Sequence, residues 1–281
     1  MIEESLEWTG ERLTTIKESE IMIEHLHRYA LAISLAKAQK VLDIASGEGY
    51  GAYLLSHIAA NVTGVDISQD TIAFAKSKYK AKNLQFLHGS ATNMPIETQS
   101  IDLVVSFETI EHLVEQEEMF IEIKRVLKPN GILIMSSPDK LNYSEKTSYS
   151  NPFHLKELYL DEFIQLVNSK FQHSQYLSQA VCYGSLITPY NQEVKGFKEF
   201  SGHFRKINES NNMVAPIYNL CIASDFPLSE KTLASQSFFN AHDLLQRLRS
   251  KEAEIYNSKT YKAGLLLTLP LRLLRSLFSK K

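Results

Sequence analysis

Apolar positions follow two alternating periods along this chain. Over 21–38 apolar and small residues recur at helical spacing, at Ile23, Leu26, Ala30, Ile33 and Leu35, which predicts a helix ahead of the first strand. VLDIAS (41–46) reads as a short buried strand. The pattern then alternates: helix 50–59, strand NVTGVDI (61–67), helix 69–79, strand LQFLHG (84–89), strand IDLVVSFE (101–108), helix 117–127 and strand GILIMSSP (131–138). Near-continuous apolar strands separated by helices predict a parallel sheet covered on both faces. In KRVLKPNGILIMSSPDK, Pro129 and Gly131 stop a helix and turn it straight into the next buried strand. A helix over 158–168 follows, then SQYLSQAVCYGSLI and APIYNLCIASD, which predict a closing antiparallel pair. The expected class is α/β: a doubly wound, mostly parallel, seven-stranded sheet. An N-terminal helical cap (1–40) precedes the core domain (41–228), which carries a polar insertion at about 191–212. A C-terminal helix and basic amphipathic tail (229–281) follow, with Leu244, Leu245, Leu248 and Ile255 forming a short packing or coiled-coil stripe.

Charge and cysteine usage narrow the partners. A formal charge of −2 over 281 residues argues against a generally basic nucleic-acid binder, so nucleic acid is not the expected partner. Cys182 and Cys221 lie far apart without metal-ligand spacing, which speaks against a disulfide framework and a zinc ribbon. The opening MIEESLEWTGER has neither the basic start nor the apolar stretch of a secretory signal, so the cytoplasm is the expected location. The segment 259–281 holds six basic residues and no acid, leaving −8 on the rest. Its TYKAGLLLTLPLRLLRSLFSKK mixes leucines with Lys and Arg around Pro270, and its uncharged run is shorter than the roughly 20 residues a spanning helix needs. Three readings stand for it: a peripheral helix on the anionic inner face of a membrane, a docking stripe for a membrane-bound glycosyltransferase, or a helix packed on its own domain.

The chemistry concentrates in two places. VLDIASGEGYG puts Asp43 at the end of a buried strand, followed by Gly47, Gly49 and Gly51 at the strand-to-helix turn. Glycine lets a ligand approach the backbone, and the unpaired N–H groups of the next helix suit a carboxylate. Asp66 ends the second strand, where its two oxygens can accept from both ribose hydroxyls. On these glycines alone a dinucleotide and S-adenosylmethionine are equally good ligands. Gly51 serves helix packing or ligand contact, and Asp43 either binds ligand or ties the loop.

The run VLDIASGEGYG, GVDIS, SIDLVVSFETIEHL and RVLKPNGILIMSSP resembles the class I S-adenosylmethionine-dependent methyltransferase superfamily in order, spacing and residue type over about 41–138. That resemblance implies a Rossmann-like fold and S-adenosyl-L-methionine as cofactor, with Asp43, Ala45, Gly47 and Gly49 around its methionine part and Asp66 and Ile67 at the ribose. Where the family usually has an acid near the adenine amino group, this chain has HGSATNMP, so adenine recognition falls to Ser90, the Ala91 backbone and Met94 packing. Phe107, at the end of the fourth strand, completes the cofactor set. Ala45 stands where glycine is common, a change expected to have little effect.

The second place is FETIEHL, where Glu108, Glu111 and His112 share one face if the stretch is helical. His154, in NPFHLKELYLDEF, comes from the loop after the fifth strand. This Glu-x-x-Glu-His arrangement with a later histidine resembles metal-dependent small-RNA 2′-O-methyltransferases and, in part, ubiquinone-pathway O-methyltransferases. The resemblance implies Mg²⁺ or Mn²⁺ held by Glu108, Glu111, His112 and His154. In many methyltransferases E-H-L carries no metal and the histidine, here His112, supports the cofactor loop. In that case His154 is the candidate general base, or a structural histidine.

The opening EWTGERL followed by IEHLHRYALA resembles bacterial methyltransferases of surface-polysaccharide biosynthesis. That likeness implies an N-terminal cap over the cofactor, with Tyr29, Arg28 and the 9–12 turn as candidate contacts. Aromatic packing is the alternative for Tyr29, and a surface charge is the favoured alternative for Arg28. The function expected from both resemblances is O-methylation of a sugar hydroxyl on a polysaccharide or glycolipid precursor. The alternatives are an RNA-ribose or quinone-precursor O-methyltransferase and a catalytically silent, cofactor-binding scaffold subunit.

Overall fold

The structure is a computed structural model that describes residues 20–179, 199–203, 206–210, 217–228, 250–264 and 267–268. The chain divides into two compact units, 1–236 and 237–281.

In the first unit α1 (Glu20–Ala36) leads into β1 (Lys40–Ile44), α2 (Tyr50–Ser56), β2 (Asn61–Asp66), α3 (Gln69–Lys78), β3 (Leu84–His88) and β4 (Ile101–Phe107). A single 3₁₀ turn (Ile110–His112) precedes α4 (Gln116–Val126) and β5 (Leu127–Pro138). A π-helical turn (Leu141–Glu145), α5 (Leu160–Lys170), β6 (His173–Gln179), a small hairpin β7 (Glu199–His203) with β8 (Lys206–Ser210), and β9 (Tyr218–Ser224) complete it. The main sheet is the expected one, seven strands in the order β3-β2-β1-β4-β5-β9-β6. The first five run parallel, and β9 is antiparallel to both β5 and β6. Chain order reverses at β1, which lies between β2 and β4. Ligands bind in such folds outside the strand ends at this switch point.

Strand residues alternate between two cores, as a sheet covered on both faces requires. Leu42, Ile44, Val104, Leu133 and Met135 face Met119, Phe120 and Ile123 of α4 and Phe163 and Val167 of α5. Val41, Leu103, Val105 and Ile134 face Tyr29 and Ala32 of α1, Leu55 of α2 and Ile72 of α3. At about 25 cal/mol per Å² of apolar surface removed from water, these two layers are the main source of stability.

Two expectations are corrected. The helix ahead of Pro129 stops at Val126, and strand pairing starts at once, Leu127 opposite Ile101. The register shifts before Leu103 meets Ile132, since β5 advances five residues, from 127 to 132, against two on β4, and the extra residues bulge out at Pro129. The FETIEHL stretch is a 3₁₀ turn, so Glu108, Glu111 and His112 do not share a helical face.

Part of the predicted insertion at 191–212 is the β7–β8 hairpin. Cys182 and the second half of SQYLSQAVCYGSLI lie outside the described residues, as do 238–249 and Pro270 with the end of the tail. In the second unit 250–257 and 259–264 are helical, with Ile255 exposed. No described helix is long and apolar enough to cross a membrane.

Candidate active site

The glycine loop leaves β1 through three left-handed residues, Ala45 (φ 55°), Gly47 (φ 54°) and Gly49 (φ 89°). At Gly49 a Cβ would stand 2.6 Å from Phe86 Cζ, so only glycine fits between α2 and β3. Ala45 has no such excuse. A left-handed alanine costs about 1 kcal/mol, so the change from glycine is not free. Asp66 fastens the loop to β2: Gly47 N donates to Oδ2 and Ser68 N to Oδ1, both at 2.9 Å. Each carboxylate oxygen has a second lone pair for a ribose hydroxyl. Ile67, directly after it, is 71% exposed, an apolar platform at the strand end. Gly89 N donates to the Asp66 carbonyl at 3.0 Å, which brings the turn after β3 alongside. In that turn Ser90 Oγ is 2.9 Å from Thr92 Oγ1 and accepts from Thr92 N. Ser90 and Ala91 are half-buried over buried Met94.

Asp43 is buried, and the Tyr29 hydroxyl donates to it. Burial pushes the Asp43 carboxyl up to about 7; the Tyr29 hydrogen bond opposes this and the nearby Asp66 charge adds to it. Tyr29 lies edge-on to Phe107 and Tyr50, at ring separations of 5.2 and 5.6 Å. Gly51 packs under it, since a Cβ there would lie 1.9 Å from Tyr29 Cζ. Gly51 therefore serves helix packing.

The second cluster divides. Glu108 takes a left-handed backbone (φ 51°) that turns its carboxylate toward the sheet. There Ser136 Oγ donates to Oε1 at 2.6 Å and Arg28 Nη1 stands 3.6 Å away. It leaves the proposed metal set. Glu111 turns inward and is 1% exposed, with neither carboxyl oxygen hydrogen-bonded among the described residues. Burial and then the Glu108 charge hold its carboxyl well above the usual carboxylate range. The Glu111 carbonyl accepts from Leu155 N (2.8 Å) and Lys156 N (3.0 Å), which ties the 3₁₀ turn to the loop carrying His154. His112 Nδ1 lies 3.0 Å from the Phe153 carbonyl and so donates to it. One ligand atom each from Glu111, His112 and His154 lies within 4.8 Å of the others, and the two imidazoles are 5.1 Å apart. One carboxylate and two imidazoles suit a divalent ion.

His154 has a partner that the sequence reading missed. Its Nδ1 is hydrogen-bonded to Glu157, and both side chains are about nine-tenths covered. Nε2 faces the Asn151 amide nitrogen at 3.0 Å, which makes Nε2 the acceptor and Nδ1 the proton-bearing nitrogen. Tyr143 stacks on the ring at 5.4 Å. The signal was present in the i, i+3 spacing of His154 and Glu157. Arg28 is not the surface charge favoured from the sequence: it is 1% exposed. Its Nε donates to Gln179 Oε1 at 2.8 Å and its guanidinium lies 4.2 Å from the Tyr218 ring centroid.

Residues 42–135 match the family described as a methyltransferase domain, and the sheet is Rossmann-like. A probable S-adenosylmethionine-dependent methyltransferase of Mycolicibacterium smegmatis is 35% identical over 130 residues, covering 46% of this chain and 50% of that protein. A ubiquinone/menaquinone biosynthesis C-methyltransferase of Campylobacter jejuni is 29% identical over 135 residues, covering 46% and 57%. The crystal structure of a SAM-dependent methyltransferase from Archaeoglobus fulgidus superposes with a TM-score of 0.52 at 19% identity, over 73% of this chain and 93% of that one. The chain spans about half the length of these two curated relatives.

Proposed function

We propose that this chain is an S-adenosylmethionine-dependent methyltransferase that methylates a hydroxyl oxygen of a sugar or glycan acceptor in polysaccharide or glycolipid assembly. The residues around the switch point suit the cofactor. Asp66 has lone pairs for the ribose, Ile67 offers an apolar face to adenine, and the Gly47–Gly49 turn leaves room for the amino-acid end. Bound there, the cofactor supplies a methyl group already activated by its sulfonium. The chain's own task is alignment and removal of one proton.

The observation that carries the oxygen-acceptor reading is the His154–Glu157 pair. With Nδ1 bonded to Glu157, the Nε2 lone pair takes the acceptor hydroxyl proton, and Glu157 stabilises the resulting imidazolium. The Asn151 amide marks the direction of that lone pair. Tyr149, Phe153 and Leu155 are exposed around it, surfaces suited to a sugar ring or a lipid-linked precursor. The test is transfer from labelled S-adenosylmethionine to a panel of glycan acceptors. Oxygen-linked methyl on a sugar supports the reading, and methylation of quinone precursors alone refutes it.

A second reading is favoured by the Glu111, His112 and His154 cluster: Mg²⁺ or Mn²⁺ seated there and touching the acceptor hydroxyl. A cation offsets the burial of Glu111, whose oxygens have no hydrogen-bond donor among the described residues. For the tail we propose contact with an anionic membrane surface or a glycosyltransferase, supported by its six basic residues among leucines. Vesicle sedimentation with and without anionic lipid, for the full chain and one ending at 259, tests it.

A further inference from the structure

The backbone on both sides of His154 is pinned. Its own N–H donates to the Asn151 carbonyl at 3.2 Å, the Phe153 carbonyl accepts from His112, and Leu155 N and Lys156 N donate to the Glu111 carbonyl. The ring is held as firmly: Glu157 takes Nδ1, Tyr143 stacks at 5.4 Å and His112 stands edge-on at 5.1 Å. Only 8% of the side chain is exposed. A general base must come within hydrogen-bond reach of the proton it takes, so a neighbour has to withdraw before an acceptor meets this one.

Asn151 is the neighbour able to withdraw. Phe153 N donates to its Oδ1 at 3.1 Å, which closes an Asx turn and leaves Nδ2 facing the imidazole. Nδ2 only donates, and at 3.0 Å it fills the Nε2 lone pair, the one position of the ring through which a proton can be taken. Asn151 is half-buried, with Pro152 and Phe153 exposed directly after it. Its amide can turn into water and replace its hydrogen bonds there. Moving Glu157 instead would leave a covered carboxylate without its donor.

We propose that Asn151 is a placeholder for the acceptor: its amide N–H occupies the position of the acceptor hydroxyl and yields it when the hydroxyl arrives. This rests on the oxygen-acceptor reading above and adds a positioning residue that acts through His154. One donor replaces another, so the Nε2 lone pair is always matched and water is kept from the base until an acceptor is present. A group with no hydrogen to donate has no means of displacing the amide, which restricts acceptance to groups such as a hydroxyl.

Carbethoxylation of His154 by diethyl pyrocarbonate, followed by peptide mass spectrometry in the presence of chelator, reads whether the Nε2 lone pair is covered. Asn151→Ser keeps an oxygen for the turn to Phe153 N but falls short of the ring, and Asn151→Ala keeps neither contact. Both variants are expected to react at His154 ~3- to 10-fold faster than the wild type, the worth of one hydrogen bond. Equal rates in all three proteins overturn the placeholder. Acceleration in Asn151→Ala alone does so too, since it assigns the cover to the turn. On the glycan panel, Asn151→Ser is expected to raise kcat/KM by ~3- to 10-fold through a lower KM, because no amide has to be displaced. A fall in kcat/KM overturns the proposal, because it makes the amide a part needed for alignment. Faster carbethoxylation in the variants with no sugar hydroxyl methylated by any of the proteins strikes the base reading, and the placeholder with it.

Discussion

The Tyr29 hydroxyl stands 3.2 Å from both carboxylate oxygens of Asp43. This joins α1 to the end of β1 and closes one wall of the glycine loop. A buried carboxylate that loses a donor suffers much of the desolvation of that group, about 1–3 kcal/mol. Tyr29→Phe keeps the packing on Phe107 and Gly51 and is expected to destabilise by that amount in urea unfolding at pH 8, and by less at pH 5. Equal losses at the two pH values would mean that the hydroxyl does not serve the ionised carboxylate.

Stability should depend on pH through Asp43. Its carboxyl is raised from 3.8 to about 7 in the folded chain, chiefly by burial. The protonated form is thus favoured by folding. This contribution is complete below about pH 4 and is lost as pH rises through 7. Asp43→Asn carries no such titration. Its stability relative to wild type is expected to rise between pH 4 and 8 by up to about 4 kcal/mol, measured by chemical unfolding across that range.

The loop itself offers a paired test. Gly51→Ala puts a methyl where Tyr29 already is, at 1.9 Å, and is expected to destabilise by ~2 kcal/mol or more. Ala45→Gly removes a left-handed alanine (φ 55°) and is expected to be neutral or stabilising by ~0.5 kcal/mol, relief of strain outweighing the added chain entropy. Thermal melts of both variants decide it; a large loss on Ala45→Gly would show that its methyl packs.

Strand order and the cofactor loop were legible because they depend on repetition. Val41, Leu42 and Ile44 alternate between two buried faces, and glycines mark a turn that other residues cannot make. The second cluster was only half legible. Spacing placed Glu108 with Glu111 and His112 on one helix face, but a 3₁₀ turn and one left-handed residue send Glu108 to Ser136 and Arg28. Backbone irregularity of that kind leaves no periodic trace. Arg28 was misread because charge usually means surface. Its burial depends on Gln179 and Tyr218, which are more than 150 residues away in the chain and are brought close only by the sheet.

For catalysis, His154→Ala is expected to lower kcat by ~10²- to 10⁴-fold on the true acceptor, with cofactor affinity unchanged. Glu157→Gln removes the charge behind the imidazolium and should lower kcat by ~10-fold or more with little change in KM. Chelator treatment separates the two readings of this cluster. Turnover that persists in chelator leaves His154 as base. Turnover that vanishes and returns with Mg²⁺ or Mn²⁺, together with loss of ion binding in Glu111→Ala, assigns the cluster to a metal.

The most direct measurement is calorimetric titration of wild type and Asp66→Ala with S-adenosylhomocysteine, the demethylated product of the cofactor. Asp66 both holds Gly47 and Ser68 and keeps lone pairs for the ribose. Saturable one-to-one binding by the wild type, weakened ~10-fold or more in Asp66→Ala, is the expected result. Absence of binding to the wild type, or equal affinity in the two proteins, would contradict a cofactor site at the ends of β1 and β2.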